Sequence, residues 1–207
     1  MPNKKDGAYG LTLMCPIKNG QLDGSSFSSL TRDYLQEIDL KEISPLAKVP
    51  NTFLCRFYIL NDVFFENLPA KEDHLKSRYL VFSSNFHGSL EAYIEGFWQH
   101  AEEEARNIWR HCVAFDKVND AQSFIAYIKK CQVETTFYFN GSSGEPLAEQ
   151  LKGLYLKQEF TNFVVENQGA SPEALKAAFD EFVERAQPSN LAGPTWEPGK
   201  FELSTNE

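Results

Sequence analysis

Arg56 is the only charge inside the apolar run TFLCRFYIL that fills residues Thr52–Leu60. A guanidinium placed in such a run needs a carboxylate, a polar cavity or a ligand, because a buried unpaired charge is strongly disfavoured. If the run is a strand, alternation sets Phe53, Cys55, Phe57 and Ile59 on one side. Thr52, Leu54, Arg56, Tyr58 and Leu60 then lie on the other. Arg56 and Tyr58 could therefore anchor a carboxylate on an otherwise apolar ligand. The alternative is a structural ion pair, with Glu91 or Glu95 as partner.

A second group is Ser83-Ser84-Asn85-Phe86-His87-Gly88-Ser89. A strand that ends here and turns through Gly88 into a helix presents backbone N–H groups beside the positive helix end. That geometry suits a carboxylate or phosphate. Asn85 and Ser89 could equally satisfy only the backbone of a tight turn. Asn85 and His87 join Arg56 and Tyr58 as candidate ligand-binding residues.

Other groups carry less chemistry. At helical spacing Tyr93, His100, Glu104 and His111 share one edge of a helix. His100 and His111 are three turns apart, about 16 Å of rise, too far to hold one ion. No metal site and no catalytic residue is assigned. Cys15, Cys55, Cys112 and Cys131 form no Cys-x-x-Cys pair and read as buried apolar side chains, so no disulfide is expected. The Gly141-Ser142-Ser143-Gly144-Glu145-Pro146 stretch lacks the Lys and Ser/Thr of a phosphate loop.

Composition narrows the partners. The 207-residue chain carries a formal net charge of −9, which repels nucleic-acid backbones and anionic membranes, and no basic cluster offsets it. No apolar run approaches the roughly 18–20 residues of a membrane span. The start, Met-Pro-Asn-Lys-Lys-Asp, lacks the apolar stretch of a signal peptide, which makes the cytoplasm the expected compartment.

Around these residues the pattern predicts strands at 9–15, Thr52–Leu60, 78–84 and 134–140. Helices are expected from about Ser26, over 89–111 with Ser89 as cap, over 120–130, over 146–167 and from Ser171 onward. A helical turn at 63–67 would break the long connector between the second and third strands. The order suggests an α+β chain: a ferredoxin-like antiparallel sheet with helices on one face and extra C-terminal helices. One domain covers residues 1–187, and 188–207 form an irregular tail.

Arg56, the Ser84-to-Ser89 stretch, His111-Cys112 and Phe137-Tyr138 together resemble a family of uncharacterised bacterial proteins with a ferredoxin-like fold, over roughly residues 50–155. His87 stands where that pattern has Asp, and Phe53 where it often has His. The resemblance implies a fold similar to dimeric α+β barrels, some of which are haem enzymes. A haem would need an axial ligand from His87, His100 or His111, and the cofactor is left unassigned. The sequence leads to a small-molecule-binding protein or small enzyme with its pocket on the helix-free sheet face. The alternative is a non-enzymatic interaction or homodimerisation module using that same face.

Overall fold

The structure, a computed structural model, describes residues 3–38, 44–62, 74–141 and 144–196. The expected helical turn at 63–67 and the last part of the tail lie outside them. The chain divides into two compact units, Met1–Gly144 and Glu145–Glu207, where the sequence suggests one domain to residue 187. The division falls in the Gly-Ser stretch that begins at Gly141, which has no large side chain to pack.

In the first unit β1 (Lys4–Lys5) turns through Asp6 and Gly7 into β2 (Ala8–Pro16). Asp6 and Gly7 both have positive φ, 51° and 85°, as a tight turn between antiparallel strands requires. A short hairpin of β3 (Gln21–Leu22) and β4 (Ser25–Ser26) leads into α1 (Phe27–Glu37), capped by the Ser26 hydroxyl. A 3-10 turn at Pro45–Lys48 precedes β5 (Thr52–Leu60). β6 (Tyr79–His87), α2 (Leu90–Trp109), a 3-10 turn at Phe115–Lys117 and α3 (Ala121–Cys131) complete the unit. The second unit holds α4 (Leu147–Glu166) and α5 (Pro172–Ala186). Residues 188–196 form no helix or strand.

The main sheet has the order β1-β2-β6-β5, and every pairing in it is antiparallel. The chain leaves β2, passes through α1 to the outer strand β5, and returns to the centre as β6. This is a mixed α+β chain with a four-stranded antiparallel sheet, as expected, but its fourth strand is not the expected one. Residues 134–140 are not a strand. Just before them, at the sheet margin, Leu13 bridges Gln132 and the Val133 N–H donates to the Thr12 carbonyl at 2.9 Å. The segment then crosses the sheet face: a Cβ placed on Gly10 would fall 2.7 Å from the Tyr138 ring. Its aromatic residues favour a strand by propensity, but packing overrides that preference.

Two further details differ from the alternating pattern. β6 runs on through Asn85 and Phe86 to His87, because β2 pairs with it as far as Ala8 opposite His87. A β-bulge between Thr52 and Leu54 inserts one residue into β5. The bulge puts Thr52 on the helix side, where its hydroxyl reaches the Tyr93 hydroxyl at 3.5 Å, and leaves Phe53 out of the core cluster. From Leu54 onward the expected alternation holds.

The core lies between the sheet and α2. Leu90, Tyr93, Ile94, Phe97, Trp98, Ala101, Ala105, Ile108 and Trp109 are buried along one stripe of α2. They pack with Leu11, Leu13 and Cys15 of β2, Leu80, Phe82 and Phe86 of β6, and Phe124 and Ile128 of α3. α2 departs from helical geometry once, at Ala101, with φ −147° and ψ 44°. Caps fix where these helices begin. The Ser89 hydroxyl accepts from the Ala92 N–H, and Asp120 and Ser123 form a reciprocal capping box.

Candidate functional site

Arg56, Tyr58, Asn85 and His87 share one face of the sheet, the face turned away from α2. Arg56 pairs with Ser83, Tyr58 with Val81, and Leu54 with Asn85, and residues two apart on a strand face the same way. The four do not converge on one point. Asn85 lies two residues along β6 from the row of Arg56, and His87 four, about 13 Å of rise. The His87 imidazole covers Gly7 at the far end of this face. Near β5 the face is open: Leu54 is 52% and Tyr58 48% exposed.

Arg56 is exposed, and among the described residues it makes no ion pair or side-chain hydrogen bond. Neither Glu91 nor Glu95 is its partner: Glu91 instead pairs with Lys129 at 2.7 Å. Arg56→Met should therefore change stability by no more than about 0.5 kcal/mol, the usual range for a surface site. Urea melts of both proteins check this. A loss of 1–3 kcal/mol would mean that a structural partner had been removed.

A cavity of about 590 Å³ opens elsewhere, at the sheet margin where β1 and β2 meet the start of α2 and the end of α3. Its lining includes Lys4, Tyr9, Ser89, Leu90, Lys129 and Gln132, and none of the four residues above. The local sequence explains how each wall is held. Tyr9 lies on β2 with its ring stacked on Phe86 at 5.0 Å, and Phe86 stacks on Tyr93 at 3.8 Å. Gln132, just past α3, donates through its amide to the Tyr9 hydroxyl at 2.8 Å. Asn3, only 5% exposed, accepts the Thr135 N–H through Oδ1, and among the described residues its Nδ2 has no hydrogen-bond partner.

The charges around this cavity are mixed. Lys4 and Lys129 are set against Glu91 and Glu134. The hydrogen bond from Lys129 holds the Glu91 carboxyl below its ordinary range. Behind the stacked rings, the Tyr93 hydroxyl sits 2.9 Å from the Ser84 hydroxyl. Burial pushes the Tyr93 phenol up to about 12, so it is neutral at pH 7 and acts there as a hydrogen-bonding group.

Family models, curated proteins and solved structures give no match to this chain.

The remaining sequence candidates are dispersed. His100 is exposed, while His111 stacks on Phe27 at 4.7 Å. Burial, together with Arg110 and Lys18, lowers the His111 pKa. Among the described residues no group of three His, Cys, Asp or Glu side chains is placed to share a metal ion. Among them, too, no helix is long and apolar enough to cross a membrane. Sequence reasoning missed the cavity because its lining comes from four separate parts of the chain: β1, β2, the start of α2, and the segment from the end of α3 to Glu134. Only Ser89, as a helix cap, carried a local signal.

Proposed function

We propose that the chain is a small-molecule-binding protein whose ligand carries a carboxylate and enters the cavity at the start of α2. The cavity itself carries this reading. It is large enough for a small molecule, has an apolar side at Leu90 and the Tyr9 ring, and holds a few polar groups in fixed positions. Lys4 and Lys129 supply the positive charge for a carboxylate, and the first-turn N–H groups of α2 point the same way electrostatically. This moves the carboxylate anchor from Arg56 to the lysines. Arg56, Tyr58, Asn85 and His87 remain as groups on an open face. A ferredoxin-like reading of residues Ala8 to His87 is supported by β2 and β5 flanking β6. The bacterial family resemblance and the cytoplasmic location rest on the sequence.

A second reading, a homodimerisation or interaction module, is favoured by one observation in the second unit. Phe160, Val164, Leu175, Phe179 and Val183 of α4 and α5 are each more than a third exposed, an apolar surface that an isolated chain seldom leaves uncovered. Native mass spectrometry of protein purified from its own organism separates the readings. A copurifying small-molecule mass on the wild type, lost in Lys129→Glu, supports the cavity reading. Lys129→Glu adds a third carboxylate beside Glu91 and should weaken an anionic ligand by at least about tenfold, or 1.4 kcal/mol. An adduct that persists in the variant places the ligand elsewhere. A dimer with no adduct favours the module.

A further inference from the structure

Three cysteines far apart in sequence meet at one edge of β2. Cys15 lies on β2 and is fully buried; Cys131 ends α3 and is partly exposed; Cys112 follows α2 and is buried. Two backbone bridges along the edge of β2 that faces away from β6 bring them there. Leu13 bridges Gln132 antiparallel, which sets Cys131 diagonally beside Cys15, and Ile17 bridges Cys112 antiparallel. Directly opposed backbones are about 4.5–5.5 Å apart, and one residue step of about 3.4 Å along the strand puts the diagonal Cys15 and Cys131 backbones about 6 Å apart, within the roughly 4.4–6.8 Å Cα separation that a disulfide spans. The two side chains are close enough for the Cys15 thiol to donate to the Cys131 sulfur.

We propose that Cys131 and Cys15 form a peroxide-responsive thiol pair, in which Cys131 is oxidised first and Cys15 resolves it into a disulfide.

Hydrogen bonding divides the roles. Donation from Cys15 lowers the Cys131 pKa to about 7, while the same contact and burial hold the Cys15 thiol protonated. The thiolate is the nucleophile, and only Cys131 of the three is partly open to solvent. Its sulfur attacks one oxygen of a hydroperoxide. The O–O bond breaks, the departing oxygen is protonated to water or an alcohol, and Cys131 becomes a sulfenic acid, oxidised by two electrons. The Cys15 sulfur then attacks the Cys131 sulfur. An S–S bond forms, the S–O bond breaks, and hydroxide leaves with the Cys15 proton as a second water. In sum two thiols and one hydroperoxide give one disulfide, one water and the reduced peroxide.

The surroundings favour this pair over the others. Burial pushes the Cys112 thiol up to about 12, so it stays protonated. Cys55 lies on β5, two strands away across β6, about 10 Å. Among the described residues the buried Tyr127 hydroxyl and Trp109 indole N–H have no other hydrogen-bond partner; Trp109 acts to lower the Cys15 pKa and Tyr127 that of Cys131.

The test exposes the reduced full-length protein to hydrogen peroxide and follows free thiols, intact mass and the linked peptides. The wild type should keep two of its four thiols and yield a Cys15-to-Cys131 peptide. Cys131→Ser should lose that reaction. Cys15→Ala should instead accumulate a sulfenic acid at Cys131, trapped by a cyclic dione. Cys55→Ser should react as the wild type does. If Cys15→Ala proves unstable, the linked peptide in the wild type decides alone. Four thiols surviving in the wild type, a disulfide formed in Cys131→Ser, or a link through Cys112 would each overturn the proposal.

Discussion

Replacing Trp109 with alanine is expected to cost the first unit about 3–5 kcal/mol, the range for removing a buried aromatic side chain. Trp109 is 1% exposed at the end of α2. Its ring meets Phe57 of β5 and Phe82 of β6 at 5.7 Å each, Phe97 of α2 at 5.8 Å and Phe124 of α3 at 5.5 Å. All four contacts are edge-to-face, the arrangement in which each aromatic pair adds about 0.5–1.5 kcal/mol beyond area burial. One side chain thus joins two strands and two helices, and no neighbour can collapse into its place without giving up another contact. Urea unfolding followed by circular dichroism should show a midpoint about 2 M lower, given slopes of about 1–3 kcal/mol/M. Trp109→Phe should lose less than half as much. A midpoint shift under about 0.5 M for the alanine variant would mean that Trp109 does not join these elements as described.

Replacing Lys152 with methionine is expected to loosen the second unit by about 2–4 kcal/mol. Lys152 is on α4, 2% exposed. Its ammonium donates to the Ala186 carbonyl at 2.7 Å and to the Pro194 carbonyl at 2.7 Å, with the Tyr155 ring 5.3 Å away. Ala186 closes α5, where the last carbonyls have no partner within the helix. Lys152 therefore fastens the end of α5 and the tail beyond it to α4. Desolvation lowers its pKa, but the covering layer is thin, formed by a helix end and an irregular segment. Methionine fills the space of the stem and leaves two carbonyls without a donor, at about 1–3 kcal/mol each. The unit has a small core of its own, Phe163, Phe182 and Ala186, so little else compensates. Hydrogen exchange over residues 147–186 should accelerate by tenfold or more in Lys152→Met, while exchange in β2 and β6 should not change. Equal protection in both proteins would show that the clasp contributes nothing.

The sequence was most legible where structure is set by near neighbours. Ser89 caps the helix it was expected to cap, and Asp120 and Ser171 cap helices expected to begin there, because a helix start depends on only a few following residues. The α2 stripe and the full extent of β5 were readable for the same reason. What depends on distant pairing was not. The run ETTFYFN has strand-like composition, yet Tyr138 lies over Gly10 while Phe137 and Phe139 stay exposed. Asn85 and His87 look like turn residues but are carried into β6 by its pairing with β2. The face of Arg56 followed from alternation; its lack of a partner did not, since a partner is a matter of tertiary distance. Cys15, Cys112 and Cys131 appear unrelated in the sequence because two backbone bridges bring them together. Lys152 sits in a helix whose apolar spacing slips, so no pattern marked it as buried.

The two margins of the main sheet differ in a way that bears on self-association. One margin is β1, only two residues long and both lysine, too short and too charged to template another chain. The other is β5, nine residues long, with no strand on its outer side among the described residues. With methionine at position 56 it would read TFLCMFYIL, an uncharged apolar segment of the kind that stacks into fibrils. Arg56 breaks that run at its middle and sits on the exposed face. Its positive charge repels a second copy of the same strand laid beside it in register. Arg56 thus has the position and charge of a gatekeeper against aggregation, a property the folding free energy of the isolated chain does not register.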